Sequence, residues 1–169
     1  MKIGILVTNY NTWSLTSSCI ENCLNYADSK IDQFIVVDDC STEPFKNQYN
    51  QVDLIKNPKN LGLIKSLNLG LKKMNTDLIL ILDSDAWPLE NYIVDVKKCF
   101  TQNPSLGIAT FKTVNSEGIA SDSYEAEPGA LSLILGQQLY RIYLNNFLKN
   151  PKAINVFTCA MVIRKEALE

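Results

Sequence analysis

The stretch LILILDSDAWP, residues 78–88, joins an uninterrupted run of leucine and isoleucine to a short acidic motif. Such a run is typical of a parallel β-strand that is buried on both faces, because it presents no polar face to solvent. In α/β sheets, ligands bind outside the carboxyl ends of the parallel strands. The stretch therefore predicts a buried strand at 78–82 that ends at a ligand site containing Asp83 and Asp85.

The sequence before this stretch alternates between short apolar runs and apolar residues at helical spacing. Strands are predicted at residues 3–7, 34–37 and 52–55, and helices at 12–26 and 61–74. In the second helix, an apolar stripe is predicted at Leu63, Leu67 and Leu71. This alternation is typical of βαβ units. We therefore expect an α/β fold with a Rossmann-like, mostly parallel sheet flanked by helices.

The second half of the sequence continues the pattern less regularly. We predict a helix at residues 90–101, a strand at 107–111, a loop at 115–129, a helix at 130–148 and a strand at 156–163. Residues 164–169 have a helix-like composition. Because a chain of 169 residues has the usual size of one domain, we expect residues 1–169 to form a single domain.

The composition excludes several classes of function. The chain has no histidine, which excludes Ser/His/Asp and Cys/His catalysis and histidine metal sites. Its five cysteines include no CxxC pair, so we expect reduced thiols rather than a zinc site or a disulfide framework. Sixteen basic and eighteen acidic residues give a net charge of −2 without a basic cluster, so no nucleic-acid partner is expected. Carboxylates must therefore carry the chemistry.

Neither a transmembrane segment nor a signal peptide is apparent in the sequence. No apolar run reaches the length of about 18 residues that a membrane-spanning helix needs. The apolar stretch near the start is too short for a signal peptide and has no small-residue cleavage site. We therefore expect a cytoplasmic protein.

Asp83 and Asp85 form a candidate metal site. They flank a serine at the end of a hydrophobic strand, whose period of two places both carboxylates on one side, roughly 6 to 7 Å apart. Mg²⁺ and Mn²⁺ prefer oxygen ligands and commonly bind through one or two carboxylates together with substrate phosphates. The motif therefore predicts a divalent cation that also binds a diphosphate, although an isolated Asp-x-Asp can simply end a strand.

Other polar clusters follow the remaining predicted strands. Asp38 and Asp39 close the strand at 34–37, where a carboxylate can cap a helix or accept the N3–H of uracil or thymine. Residues 8–11, Thr-Asn-Tyr-Asn, offer groups that can stack on a base and form hydrogen bonds with it, or simply form a polar turn. The loop at 57–62 leads into a helix start, which favours anions.

Four motifs in this order resemble family 2 glycosyltransferases of the GT-A fold. They are ILVTNYN at 5–11, IVVDDCST at 35–42, NPKNLGLIKSLNLG at 57–70 and LILILDSDAWP at 78–88. A weaker similarity continues in TCAMVIRKEAL at 158–168. The resemblance implies that residues 1–90 form the nucleotide-sugar-binding half and residues 91–169 the start of an acceptor-side half that is incomplete.

The resemblance also implies roles for individual residues. It assigns Thr8, Asn9 and Tyr10 to the pocket of the nucleotide base, with Asp39 bonded to the base N3–H and Asp38 supporting that loop. It places Asn60, Lys65 and Asn68 near the ribose and sugar. Asp83 contacts the ribose or the metal, and Asp85 binds the Mn²⁺ or Mg²⁺ ion.

The implied reaction is sugar transfer from a UDP or dTDP sugar to an acceptor hydroxyl, with inversion. It belongs to the synthesis of polysaccharide or other cell-surface glycans, in the cytoplasm or at the inner face of the membrane. The family's general base usually lies some tens of residues beyond the acceptor-side strand, so we expect it beyond Glu169 and the chain to be truncated. Asp122, Glu125 and Glu127 do not occupy the base position, and no role is assigned to them.

Two alternatives remain open at this point. A phosphoacceptor receiver domain also has an acidic pair after one strand and an aspartate after another, and Asp38, Asp39 and Asp83 fit that spacing. A receiver would leave residues 3–11 and the first helix without a role. The second alternative is a glycosyltransferase-like domain that binds a nucleotide without catalysis. A dinucleotide-binding fold is excluded, because no GxGxxG follows the first strand.

Overall fold

The computed structural model describes residues 1–45, 48–115, 117–121, 124–126, 153–156 and 159–168. The chain divides into two compact units, Met1–Ala109 with Thr158–Glu169, and Thr110–Phe157. The first unit contains the main sheet and the helices that flank it. The prediction that residues 1–169 act as a single domain stays a prediction.

The main sheet has six strands in the order β3-β2-β1-β4-β10-β5. Their bounds are β1 Ile3–Asn9, β2 Gln33–Asp38, β3 Asp53–Lys56, β4 Leu78–Leu82, β5 Ile108–Thr110 and β10 Ala160–Arg164. Strand β1 pairs in parallel with β2 and β4, β2 pairs in parallel with β3, and β10 pairs with β4 in antiparallel orientation. The predicted α/β fold with a mostly parallel sheet is confirmed.

Three α-helices lie among the described residues, α1 Trp13–Asn25, α2 Leu63–Lys73 and α3 Ile93–Gln102. A short 3-10 helix, Lys165–Leu168, follows β10. None of these helices is long and apolar enough to cross a membrane, a statement restricted to the part of the chain that the structure describes.

Two small antiparallel pairs lie in the second unit. Strand β6, Thr113–Val114, pairs with β7, Ala120–Ser121. Strand β8, Tyr124–Ala126, pairs with β9, Ala153–Val156. The expectation of a loop throughout 115–129 is therefore wrong for β7 and β8, which are too short to show a period of two in sequence. The helix predicted at 130–148 lies outside the described residues.

The last predicted strand, 156–163, is two elements in the structure. Val156 ends β9, Cys159 lies in a turn, and β10 begins at Ala160. The ladder begins there because Ala160 pairs with Leu82, the last residue of β4. Beyond Leu82, β4 gives way to the acidic turn, so the ladder between β4 and β10 stops at this pair.

The core is built from β1, β2 and β4, as their aliphatic runs predict. Every residue of β4 is buried, and β1 is buried along nearly its whole length. Burying each large aliphatic side chain contributes roughly 1.5 to 3 kcal/mol. The carboxyl ends of these three adjacent strands are therefore held at one edge of a rigid sheet.

Helix α2 packs on the sheet through small residues rather than through the predicted leucine stripe. Ser66 and Gly70 are buried, whereas Leu63 is 55% exposed, and Leu67 and Leu71 are only partly buried. A side chain at Gly70 would overlap the Leu6 side chain, with its Cβ 2.9 Å from Leu6 Cδ2. The prediction that the leucines form this contact was wrong. A helix that approaches a sheet closely needs small residues at the contact, and hydrophobic periodicity does not reveal them.

Candidate functional site

An open cleft of about 410 Å³ lies at the carboxyl ends of β1, β2 and β4. This volume falls in the usual range for ligand sites, about 300 to 1,000 Å³. All of its lining residues belong to the first unit; they are Thr8, Asn9, Tyr10, Thr12, Asp39, Asn60, Gly62, Leu63, Ser66, Asp83, Ser84 and Asp85. Four separate stretches of sequence therefore meet at the edge of the sheet where α/β folds bind ligands.

A second depression of about 460 Å³ lies near the amino ends of β1 and β4. Two of its cationic side chains are engaged in structural bonds: Lys165 Nζ donates to the Met74 carbonyl at 2.7 Å, and Arg164 donates to the Phe100 and Leu106 carbonyls. This depression is slightly larger than the cleft. We nevertheless locate the candidate site at the cleft, because strand carboxyl ends and the paired carboxylates lie there.

Asp83, Ser84 and Asp85 form a turn rather than an extension of β4. The Ala86 N–H donates to the Asp83 carbonyl at 3.0 Å and closes the turn, and the Asp83 N–H donates to the Cys159 carbonyl at 3.1 Å. The expectation of an extended Asp-x-Asp with a period of two is therefore wrong. Both carboxylates nevertheless line the same cleft. The turn brings them together where the extended strand was expected to do so.

The electrostatics of this turn favour a cation. Burial raises the pKa of Asp83, and the negative charge of Asp85 raises it further. Among the residues that the structure describes, no lysine or arginine lies within salt-bridge distance of either carboxylate. Two neighbouring carboxylates without a cationic partner leave negative charge unbalanced in the cleft. A divalent cation would relieve it.

The donor set fits a cation shared with a ligand rather than one enclosed by protein. Within the described ranges, no group of three or more His, Cys, Asp or Glu side chains is placed to hold a metal. Asp83 and Asp85 offer hard oxygen ligands, which suit Mg²⁺ and Mn²⁺. Such a cation takes its remaining ligands from water and from phosphate oxygens.

Asp39 anchors the loop that leads into α2. Its carboxylate accepts hydrogen bonds at 2.8 Å from the Leu61 N–H, the Gly62 N–H and the side-chain amide of Asn57. Burial raises the pKa of Asp39, but these bonds, with the Ser66 hydroxyl, lower it and prevail. Asp39 is therefore held as a carboxylate, with three of its acceptor positions already in use.

Asp38 lies beneath the cleft in a buried polar network. Its carboxylate accepts bonds from Asn9 Nδ2 at 3.0 Å, from the Ser41 N–H at 3.2 Å and from the Ser41 hydroxyl. Asn9 Nδ2 also donates to Ser41 Oγ at 2.9 Å, and Asn9 Oδ1 accepts from the Thr16 hydroxyl at 2.6 Å. These bonds join the carboxyl ends of β1 and β2 to the start of α1.

The remaining residues of interest differ in their access to the cleft. Tyr10 is 49% exposed at its rim, and Thr8 and Asn60 line it. Lys65 and Asn68 are exposed on α2 and do not belong to the lining residues. Their predicted approach to the sugar stays a prediction.

No individual role was predicted for Thr12, Thr16, Ser41, Asn57, Gly62, Ser66 and Ser84, although all but Thr12 and Thr16 lie within the motifs at 35–42, 57–70 and 78–88. Most are small hydroxyl or amide residues close to strand ends or helix starts. Their position just after predicted strands was the signal available in the sequence.

Comparison with known proteins places this arrangement in a family. The family model described as glycosyl transferase family 2 matches residues 4–169. Glycosyltransferase GlyA of Streptococcus pneumoniae is 26% identical over 136 residues, which cover 73% of this chain and 19% of GlyA. An uncharacterized glycosyltransferase of Haemophilus influenzae is 28% identical over 137 residues, which cover 77% of this chain and 46% of that protein. This chain thus spans less than half the length of either relative.

Solved glycosyltransferases have the same fold. TarS 1-349 of S. aureus in complex with UDP-GlcNAc superposes with a TM-score of 0.61 and 21% identity, over 98% of this chain and 46% of that one. Mannosyltransferase PcManGT of Pyrobaculum calidifontis, in complex with GDP-Man and Mn²⁺, gives a TM-score of 0.55 and 18% identity, over 66% and 36%. The similarity identifies the fold as GT-A. With the family match over nearly its whole length, the chain belongs to glycosyl transferase family 2.

Proposed function

We propose that this chain binds a nucleoside-diphosphate sugar of the UDP or dTDP type through Mn²⁺ or Mg²⁺ held by Asp83 and Asp85. The observation that carries the proposal is the carboxylate pair in the cleft, which has no cationic partner among the described side chains. Such a pair repels a diphosphate until a cation bridges the two groups. The neighbouring structures support the ligand class, since TarS was solved with UDP-GlcNAc and PcManGT with GDP-Man and Mn²⁺.

The base of the nucleotide would lie against β1 and β2. Tyr10 offers an exposed ring at the rim for stacking, and Thr8 offers a hydroxyl group. The carboxylate of Asp39 has about four acceptor positions, and Leu61, Gly62 and Asn57 use three of them. The N3–H of uracil or thymine would take the fourth position in place of the Ser66 hydroxyl. Asp38 would hold the carboxyl ends of β1 and β2 in place through its hydrogen bonds to Asn9 and Ser41.

The ribose and sugar would extend toward α2. Asn60 and Gly62 line this side of the cleft, and Asn60, Lys65 and Asn68 are the candidates for contact with the ribose and sugar. The loop that carries Asn60 is fixed by Asp39, so contacts with the base and with the sugar would depend on the same carboxylate.

The proposed reaction is inverting transfer to an acceptor hydroxyl. The acceptor oxygen forms a bond with the anomeric carbon, the bond from that carbon to the phosphate oxygen breaks, and a carboxylate base takes the hydroxyl proton. A cation bound at Asp83 and Asp85 would supply charge stabilisation for the departing nucleoside diphosphate. We place the reaction in polysaccharide or other cell-surface glycan synthesis, in the cytoplasm or peripherally at the inner face of the membrane.

Isothermal titration calorimetry with UDP tests the proposal. UDP should bind more tightly in MnCl₂ than in EDTA by about tenfold or more, equivalent to about 1.4 kcal/mol. Asp85→Asn should remove most of this difference, whereas Asp53→Asn on the exposed face of β3 should retain it. A parallel titration with GDP tests the preference for a pyrimidine base. Equal UDP affinity in MnCl₂ and EDTA would refute the metal assignment.

A further inference from the structure

Thr12 immediately precedes α1, where a threonine hydroxyl ordinarily accepts a hydrogen bond from an N–H of the first helical turn. In this structure the Thr12 side chain makes no capping bond. Its Oγ1 instead lies 3.0 Å from Asn9 Oδ1 and 3.0 Å from Ser84 Oγ. A capping bond stabilises a helix by about 1 kcal/mol. The Thr12 hydroxyl is therefore directed to the acidic turn at the expense of its own helix.

Ser84 lies between the two carboxylates of the turn. The backbone hydrogen bonds of the turn are made by Asp83 and Ala86, and among the described residues none is made by the backbone of Ser84 or Asp85. Among the hydrogen bonds of the described residues, the one to Thr12 is the bond that holds the middle of the turn. It joins residues 72 positions apart in sequence, so it ties the turn after β4 to the start of α1.

The other end of this connection is rigid. Asn9 is 2% exposed, and its side chain bonds to Asp38, Ser41 and Thr16. One hydroxyl donates one proton, so Thr12 donates either to Asn9 or to Ser84, and in the first case Ser84 can donate to Thr12. Both arrangements attach Ser84 to the buried network.

We propose that Thr12 is a positioning residue for the metal site, holding Ser84 so that the carboxylates of Asp83 and Asp85 face one cation. Two like charges repel each other before the cation arrives, and a free turn would separate them. The restraint therefore reduces the reorganisation that cation binding requires. This inference rests on the proposed function, since it presupposes that Asp83 and Asp85 bind a divalent cation with the nucleotide.

The test compares Thr12→Val, which removes the hydroxyl at nearly constant volume, with Thr12→Ser, which keeps it. The measured quantity is the ratio of the UDP dissociation constants in EDTA and in MnCl₂. Thr12→Val should lower this ratio by about 3- to 10-fold, as expected for one lost hydrogen bond, because UDP affinity in MnCl₂ should fall by that much more than UDP affinity in EDTA. A merely structural defect would weaken both affinities together. Thr12→Ser should restore the ratio, and Thr101→Val, which removes an exposed hydroxyl on α3, should not change it.

A second readout needs no ligand. In the metal-free protein, the amide hydrogens of residues 83–86 should exchange faster in Thr12→Val, while those of β4 keep the wild-type rate.

A second variant, Ser84→Ala, removes the other partner of the same hydrogen bond. It should lower the ratio of UDP dissociation constants as Thr12→Val does, and the double variant should lower that ratio no further than either single variant. The ratio measured for Ser84→Ala tests the positioning role even if Thr12→Val does not fold.

The outcomes separate the two proposals. A wild-type chain whose UDP affinity is the same in MnCl₂ and EDTA overturns the proposed function and this inference with it. A wild-type chain with the metal effect, together with Thr12→Val and Ser84→Ala variants that keep the ratio within about twofold, overturns the positioning role alone.

Discussion

Removing the carboxylate of Asp39 should destabilise the fold as well as weaken nucleotide binding. In Asp39→Ala, three donors lose their acceptor, namely Leu61 N–H, Gly62 N–H and Asn57 Nδ2. Gly62 N–H retains Asn60 Oδ1 at 3.0 Å, and Asn57 retains one bond, to Ser66 Oγ. Asn57 is 2% exposed, so its second amide proton is left buried without a partner.

The magnitude follows from these losses. An unsatisfied buried donor costs about 1 to 3 kcal/mol, and the partly buried Leu61 N–H adds about 0.5 to 1.5 kcal/mol. We therefore expect Asp39→Ala to lower the free energy of unfolding by about 1.5 to 4.5 kcal/mol. Urea denaturation followed by circular dichroism measures this change, with Asp53→Ala on exposed β3 as the matched control.

The contribution of Asp39 to stability should depend on pH. Hydrogen bonds hold the folded-state pKa of Asp39 below its ordinary value of 3.8. Its stabilising contribution is therefore complete above that ordinary value and is lost as the pH falls through the lower folded-state pKa. The stability difference between wild type and Asp39→Ala should shrink in that acidic range. A variant within about 1 kcal/mol of wild type at pH 7 would show that Asp39 does not anchor the loop.

The base contact of Asp39 can be separated from this structural role. N3-methyl-UDP lacks the donor that the remaining acceptor position of Asp39 would bind. Wild type should bind it about 3- to 10-fold more weakly than UDP, and a folded Asp39 variant should not discriminate between them. Equal affinity of wild type for both nucleotides would remove Asp39 from base recognition while leaving its role in the loop intact.

Three further expectations concern packing, backbone conformation and protonation. Gly70→Ala should lower the free energy of unfolding by about 1 to 3 kcal/mol in urea denaturation, because the added Cβ overlaps the Leu6 side chain. Lys72→Ala, at an exposed position of the same helix, should leave the free energy of unfolding unchanged. Equal stability of Gly70→Ala and wild type would mean that α2 lies farther from the sheet. Cys40 has a φ of 68°, so in thermal unfolding Cys40→Gly should match or exceed wild type by up to about 1 kcal/mol and Cys40→Val should fall below it. A large loss in Cys40→Gly would instead assign the thiol a packing role. The pKa of Asp83 is raised, so a proton competes with Mn²⁺ for its carboxylate, and Mn²⁺ affinity measured by calorimetry should fall as the pH drops toward that pKa. The same pH dependence in Asp83→Asn would contradict the binding of Mn²⁺ by Asp83.

The central strands and the general position of the site could be predicted from sequence. The aliphatic runs of β1, β2 and β4 have no polar face, so they predict strands that are buried on both faces of the sheet. The polar residues that follow parallel strands then lie at one edge of the sheet. Asp83 and Asp85 reach the predicted cleft even though their local geometry is a turn.

The details that failed depend on contacts between distant residues. Asp39 finds its partners 18 to 23 residues later in the chain, so its occupied carboxylate could not be recognised from the acidic pair alone. Ser66 and Gly70 are buried because the sheet approaches them closely, and apolar periodicity favoured the leucines instead. Likewise, the bond between Thr12 and Ser84 forms because β1 and β4 are neighbours in the sheet, and this pairing cannot be predicted from the sequence of either segment alone.

Anomalous diffraction at the manganese edge, from crystals of this chain grown with MnCl₂ and UDP, would locate the cation and the nucleotide in one experiment. We expect one anomalous peak in the cleft, within about 2 to 2.5 Å of a carboxylate oxygen of Asp85 or Asp83 and of a diphosphate oxygen, with the uracil ring beside Tyr10. A nucleotide bound elsewhere, or bound in the cleft with no manganese at Asp83 and Asp85, would contradict the proposed function.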